Sequence, residues 1–151
     1  MIPFPKIPSS AADHIDFCAE DIDFELADSE VVAGWIRRTI REESKVLDSI
    51  QFIFCNDARL LQINIEYLDH DTLTDIITFP YGEEYIEGDI YISIDRIREN
   101  AGTYGVTFEQ ELHRVMIHGV LHLCGYGDKS LDEKTSMTGK ENDYLGKLPA
   151  I

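Results

Sequence analysis

The chain has 151 residues, 44% of them hydrophobic, with 29 Asp and Glu against 13 Lys and Arg for a formal charge of -16. That length and apolar content predict one domain with a real core and argue against disorder throughout. The charge argues against non-specific attraction to nucleic acid or an anionic membrane, so any RNA substrate must be drawn by a local site.

Residues 1–12 carry Pro3, Pro5 and Pro8 and read as an extended arm. Ile15 and Phe17, then Ile22, Phe24 and Leu26, alternate with polar residues as in a half-buried strand or hairpin. Asp28 or Ser29 is placed to cap a helix running to about Lys45, with Val32, Trp35, Ile36 and Ile40 at helical spacing. Residues 50–54 read as a strand. Asn56 or Asp57 then caps a second helix through Tyr67, with Leu60, Ile63 and Tyr67 on one stripe. A polar loop over 68–75 leads to a strand at 76–80. Another strand at 88–94 puts Ile90, Ile92 and Ile94 on one face. A short helix is expected over 95–101, ending at Gly102 or Gly105. Thr107 and Gln110 form a capping box that opens a long helix, and Gly125 is placed to stop it. A last helix is expected over 131–145. Four strands interleaved unevenly with helices predict an α+β domain over 1–151, with a mixed four-stranded sheet packed by helices.

Cys18, Cys55 and Cys124 make an odd count without C-x-x-C spacing, so no disulfide framework is expected and a reducing compartment fits. The N-terminus shows no basic start followed by an apolar run, and no stretch approaches the roughly 20 apolar residues of a membrane span. The expected location is cytoplasmic, with no membrane partner.

The long helix contains His118-Gly119-Val120-Leu121-His122. At 100° per residue the two histidines fall about 40° apart. Phe108, Leu112, Met116, Gly119, Val120 and Leu123 form the adjoining apolar arc, which must pack on the sheet. Two imidazoles one turn apart at the edge of a buried stripe are spaced to chelate one ion. His113 lies on the far side and is excluded as a ligand, and Cys124 reads as a small buried residue. Gly125 can turn the chain so that Asp128 returns beneath the pair as third ligand. Two imidazoles and a carboxylate leave a fourth position open, as a catalytic zinc site requires. A zinc protease carries its general-base Glu beside the first His, where this chain has Gly119. Arg114, one turn before His118, is a candidate catalytic cation. Glu111, two turns before it, reads as a surface or supporting residue, and His70 in the polar loop is the fallback ligand.

The run from His118 to Tyr126, His-Gly-Val-Leu-His-Leu-Cys-Gly-Tyr, resembles the HGxLHLxGYDH signature of the YbeY endoribonucleases, also called rRNA maturation factors. The 74–80 run TDIITFP is similar to that family's TDVLSFP, the 88–90 run matches GDI, Asn64 and Tyr67 match N-x-x-Y, and Met137 with Glu141 match M-x-x-x-E. The resemblance spans nearly all the chain after the arm. It implies a zincin-like α+β fold with the metal site at the C-terminal end of the long central helix, and one zinc per chain. It also implies cleavage of single-stranded RNA, in 16S rRNA 3′-end maturation and ribosome quality control on the small subunit. Two positions depart from the family pattern. Its Asp-His pair is Gly127-Asp128 here, and the Arg that often follows its Tyr is Leu68. A zincin-like peptidase and a non-catalytic ribosome-assembly factor with a structural metal are the competing readings. The sequence gives no oligomeric state.

Overall fold

Runs of β-branched and aromatic residues form the sheet in the computed structural model, which describes residues 13–151. The arm expected over 1–12 lies outside the described residues. Four strands, β1 (His14–Ala19), β2 (Leu47–Cys55), β3 (Ile76–Pro80) and β4 (Ile86–Ser93), stand in the order β1-β2-β4-β3. β1, β2 and β4 run parallel, and β3 pairs antiparallel with β4 at the edge. This is the expected mixed four-stranded sheet. Phe52 pairs in register with Ile90 and Phe54 with Ile92, so one face carries a continuous buried layer. Residues one step along point the other way. Cys55 and Ile77 join Leu60 and Ile63 in a smaller cluster beneath the second helix.

Among the described residues five helices pack around the sheet: α1 (Ser29–Glu42), α2 (Asp57–Leu68), α3 (Ile94–Tyr104), α4 (Phe108–Leu123) and α5 (Leu131–Leu145). The Asn56 side chain caps α2 by accepting from the Arg59 N–H at 2.8 Å. Asp28 holds the N-cap position of α1 in a left-handed conformation, with no side-chain cap bond. On α2 the buried stripe is Leu60, Ile63 and Asn64, whereas Tyr67 is exposed and meets Phe79 edge-on. Ile94 opens α3 instead of closing β4, because the Ser93 hydroxyl caps that helix.

The alternation at Ile22, Phe24 and Leu26 does not make a strand. The chain turns at Asp21, with φ 63°, and 22–26 finds no sheet ladder to join. Phe24 is used as a plug, edge-on to Phe54 at 5.0 Å and to Phe108 at 6.1 Å.

α4 is the central helix. The Thr107 hydroxyl accepts from the Gln110 N–H at 3.0 Å, and the Gln110 side chain accepts from the Thr107 N–H at 2.9 Å. The buried set is wider than the expected arc. Val115, Ile117 and Leu121 are buried as well as Leu112, Met116 and Val120, because α5 and α3 pack on this helix in addition to the sheet. The indole N–H of Trp35 on α1 donates to the Tyr144 carbonyl of α5 at 2.7 Å, and its ring lies edge-on to His113. Gly119 faces the sheet. A Cβ there would come within 2.9 Å of Ile76 Cδ1 and 3.1 Å of Ile90 Cγ2, so only glycine allows this depth of packing.

Candidate metal centre

The last turn of α4 ends in a Schellman motif. The Tyr126 N–H donates to the Leu121 carbonyl and the Gly125 N–H to the His122 carbonyl, each at 3.0 Å. Gly125 sits at φ 110°, a backbone state that side chains other than glycine resist. The chain leaves the helix at once, and Asp128 returns to the histidine pair as its sequence position predicts.

Asp128 Oδ2 lies 3.3 Å from His118 Nε2 and 3.2 Å from His122 Nε2. One ligand atom from each of the three residues falls within 4.8 Å of the others. The Nδ1 atoms are already occupied. His118 Nδ1 is 2.6 Å from Glu141 Oε2, and His122 Nδ1 donates to the Tyr126 carbonyl at 2.8 Å. A carbonyl only accepts, so Nδ1 of His122 carries its proton. In the neutral ring the lone pair is then on Nε2, and the same holds for His118 with Glu141 as acceptor. Two lone pairs facing a carboxylate oxygen repel unless a cation or a proton lies between them. Ligand bonds of about 2.0–2.1 Å in a tetrahedral zinc site give ligand–ligand edges of roughly 3.3 Å. The two edges to Asp128 match that spacing, so the residues fit a metal ion of this class.

Burial alone lowers the His118 pKa. The Glu141 hydrogen bond and the charges of Glu141, Asp128 and Asp75 outweigh it and hold the imidazole above the ordinary histidine value. An ion therefore competes with a proton at this site.

Glu141, on α5, is buried and forks between two partners. Its Oε1 accepts from Arg114 Nη1 at 2.8 Å, while Oε2 meets His118. Arg114 Nη2 donates to Asn142 Oδ1 at 2.7 Å. Arg114 is thus close to the centre but bonded to α5. Behind the other histidine, the Tyr126 hydroxyl donates to Glu43 Oε1 at 2.7 Å, and Tyr144 and Lys140 donate to Glu43 Oε2. Burial alone would raise the Glu43 carboxyl. The Tyr144 and Tyr126 hydroxyls and Lys140 reverse that and hold it below the ordinary carboxylate range.

His113 is buried against Trp35 and outside the ligand group. His70 is exposed and outside the ligand group. Asp89 accepts from the Tyr81 hydroxyl at 2.8 Å, and the Thr74 hydroxyl bonds the Ile76 carbonyl, so both side chains have local structural partners. Of the two placements expected of Glu111, surface or supporting, the surface one fails, since the residue is only 4% exposed. It lines an open cavity of about 800 Å³ that also meets Asp75, Arg114, His118, Asp128 and Glu141. Sequence reasoning missed Glu43 and gave Glu141 no chemical role. The available signal was Met137, Glu141 and Tyr144 at i, i+4 and i+7, a buried helix stripe with a carboxylate in it.

Comparison with known proteins agrees with this architecture. The family model described as Endoribonuclease YbeY matches residues 15–149. A protein named Endoribonuclease YbeY from Flavobacterium psychrophilum is 53% identical over 127 residues, 83% of this chain and 90% of the relative. Its namesake from Amoebophilus asiaticus is 49% identical over 134 residues, 87% and 91% of the two chains. A solution structure of a Thermotoga maritima protein superposes with a TM-score of 0.65 at 27% identity, covering 89% of this chain and 88% of that one.

Proposed function

This chain belongs to the YbeY endoribonuclease family, and we propose that it is a metal-dependent endoribonuclease cutting single-stranded RNA. The metal in this reading is zinc, one ion per chain, held by His118, His122 and Asp128. Its setting is the cytoplasm, in 16S rRNA 3′-end maturation and ribosome quality control on the small ribosomal subunit. The observation that carries the reading is the convergence of two Nε2 lone pairs on the Asp128 carboxylate within a family named for RNA cleavage. Among the described residues no helix is long and apolar enough to cross a membrane.

The chemistry such an ion supplies is Lewis acidity toward a phosphoryl oxygen, and water acidic enough to lose a proton near neutral pH. The chain supplies the rest. His118 and His122 are fixed in tautomer and ring plane by Glu141 and the Tyr126 carbonyl. Asp128 adds a negative charge where the family pattern has a neutral imidazole, which favours a slow reaction. Arg114 braces Glu141 and adds positive charge beside the cavity. We assign it a positioning role, through His118, in place of direct contact with the phosphate.

The peptidase reading loses ground on Gly119. A general base belongs beside the first histidine, and here that position is turned into Ile76 and Ile90 with no room for a Cβ. A phosphodiester expels an oxygen leaving group, so no residue is needed there to carry a proton to an amine.

The test compares parent, His118→Ala and Leu68→Arg on one labelled single-stranded RNA, with and without chelator, alongside elemental analysis. About one zinc-class ion per chain is expected. Cleavage should vanish with chelator or His118→Ala. It should rise in Leu68→Arg if a cation there stabilises the transition state. Equal cleavage by parent and His118→Ala overturns the reading and favours a non-catalytic assembly factor.

A further inference from the structure

We propose that the cavity beside the metal centre recognises a guanine base of single-stranded RNA through the Glu111 carboxylate. The inference rests on the RNA-cleaving reading above and adds base specificity to it.

Glu111 is only 4% exposed and lines the cavity, and among the described residues no protein hydrogen bond reaches its side chain. A carboxylate that opens on a cavity and has no protein donor keeps its acceptor pairs available to a ligand. Its charged neighbours are engaged elsewhere. Asp75 is an acceptor already met by the backbone N–H groups of Asp75 and Ile76. Arg114 directs its two terminal nitrogens to Glu141 and Asn142. Burial raises the Glu111 carboxyl above its ordinary range, the Asp75 charge adds to this, and Arg114 offsets it only in part. A ligand that brings donors relieves that penalty.

Much of the remaining cavity wall is apolar, with Gln110 and His113 as its other polar members. Ile76, Val106, Leu145 and Leu148 line it, with the exposed ring of Tyr104 at its mouth. A cavity of about 800 Å³ that joins apolar side chains to the Glu111 carboxylate suits a flat heterocycle that carries donors on one edge. Single-stranded RNA presents splayed bases in this way, stacked on aromatic rings and bonded along their Watson–Crick edge. Guanine has two adjacent donors there, N1–H and the 2-amino group, which match the two oxygens of a carboxylate. Adenine and cytosine place an acceptor beside their amino group, and uracil flanks one N–H with two carbonyls. Each would turn a lone pair toward Glu111.

Position fits as well. Glu111 and His118 lie on one face of α4, two turns apart, roughly 10 Å along the axis. That is comparable with the span of one nucleotide from phosphate to base edge. A base at Glu111 thus leaves an adjacent phosphate at the histidines.

The experiment titrates metal-loaded protein with GMP, IMP, AMP and CMP, following the amide resonances of Gln110 and Glu111. The phosphate is common to all four probes, and none offers an internucleotide bond to cut. The parent should bind GMP about tenfold more tightly than AMP or CMP, the discrimination of one good bidentate contact. IMP, which keeps N1–H but lacks the 2-amino group, should fall between. Glu111→Gln is close to isosteric and should remove the preference for GMP while keeping the common phosphate affinity. Equal affinity for GMP and AMP in the parent overturns the proposal. So does a preference retained in Glu111→Gln, and so does a Glu111→Gln protein that is more stable but unchanged in base preference. Chelator-sensitive cleavage of mixed-sequence RNA is scored separately. A protein that cuts RNA but ignores base identity defeats the pocket alone, whereas one that selects GMP but cuts no RNA defeats the endoribonuclease reading.

Discussion

His118 and His122 stand one turn apart on one helix and are held by opposite means. His118 leans on a side chain, the Glu141 carboxylate, which is itself gripped by Arg114 from α4. His122 leans on the backbone, the Tyr126 carbonyl, whose position is set by the Schellman turn at Gly125 and by the anchoring of Tyr126 to Glu43. A charged brace strengthens the ligand but is lost with one substitution. A backbone brace is neutral and cannot be deleted without refolding the turn. The pair shows how one helix end obtains two similar ligands, one tuned by charge and one by geometry.

Removing the charged brace should have the largest effect. Glu141→Ala should weaken metal affinity 10–100-fold, the usual range for an outer partner of a histidine ligand, measured by competition with a chromophoric chelator. Glu141→Gln keeps an acceptor for Nδ1 without the charge, and so makes His118 resemble His122. If it binds metal as tightly as parent, charge plays no part in the brace and the contrast collapses.

Breaking the backbone brace comes next. Gly125→Val places a β-branched residue at φ 110° and should cost about 1–3 kcal/mol in denaturant unfolding. The Cβ would meet nothing within 4 Å, so the cost is backbone strain alone. Metal affinity should fall too, because Tyr126 and Asp128 lie downstream. Parent-like affinity would show that the turn does not govern His122.

Acid should act on the anchor of that turn. The folded-state pKa of Glu43 lies below its unfolded value of about 4.3. Its contribution to stability is therefore present above about pH 4.3 and is lost as pH falls through the folded value. The parent's Tm should drop faster with acid in that window than the Tm of Glu43→Gln. Parallel curves would mean the anchor adds no pH-dependent stability.

The smallest effect belongs to the far end of the same helix. Thr107→Ala removes the cap of α4 and should cost about 1 kcal/mol while leaving metal affinity alone. A change in affinity would mean that the two helix ends are coupled.

The parts of this site that could be read in the sequence are those the chain keeps local. His118, His122, Gly125 and Asp128 fall within eleven residues, and helical spacing with a glycine turn is enough to converge them. The capping box at Thr107 and the bounds of α5 are local for the same reason. Glu141 reaches His118 across 23 residues, and Glu43 reaches Tyr126 across 83. No period links such positions, so their pairing emerges only when α1 and α5 dock. The alternation at 22–26 misleads for the related reason that a strand needs a partner, and those residues have none in the sheet. The surface alternative for Glu111 fails because a helix wheel shows which side a residue faces but not what later covers that side.

The chain has one tryptophan, and its indole N–H is bonded to the end of the helix that carries Glu141. Trp35 is therefore a built-in fluorophore for the docking of α5. Its emission should be blue while the indole is buried and should move to the red if α5 lifts from α1, with no label attached. Because His113 lies edge-on to the ring, protonating that imidazole should quench the signal. The brace of the metal centre can thus be followed by intrinsic fluorescence, in the same cuvette in which metal is added or withdrawn.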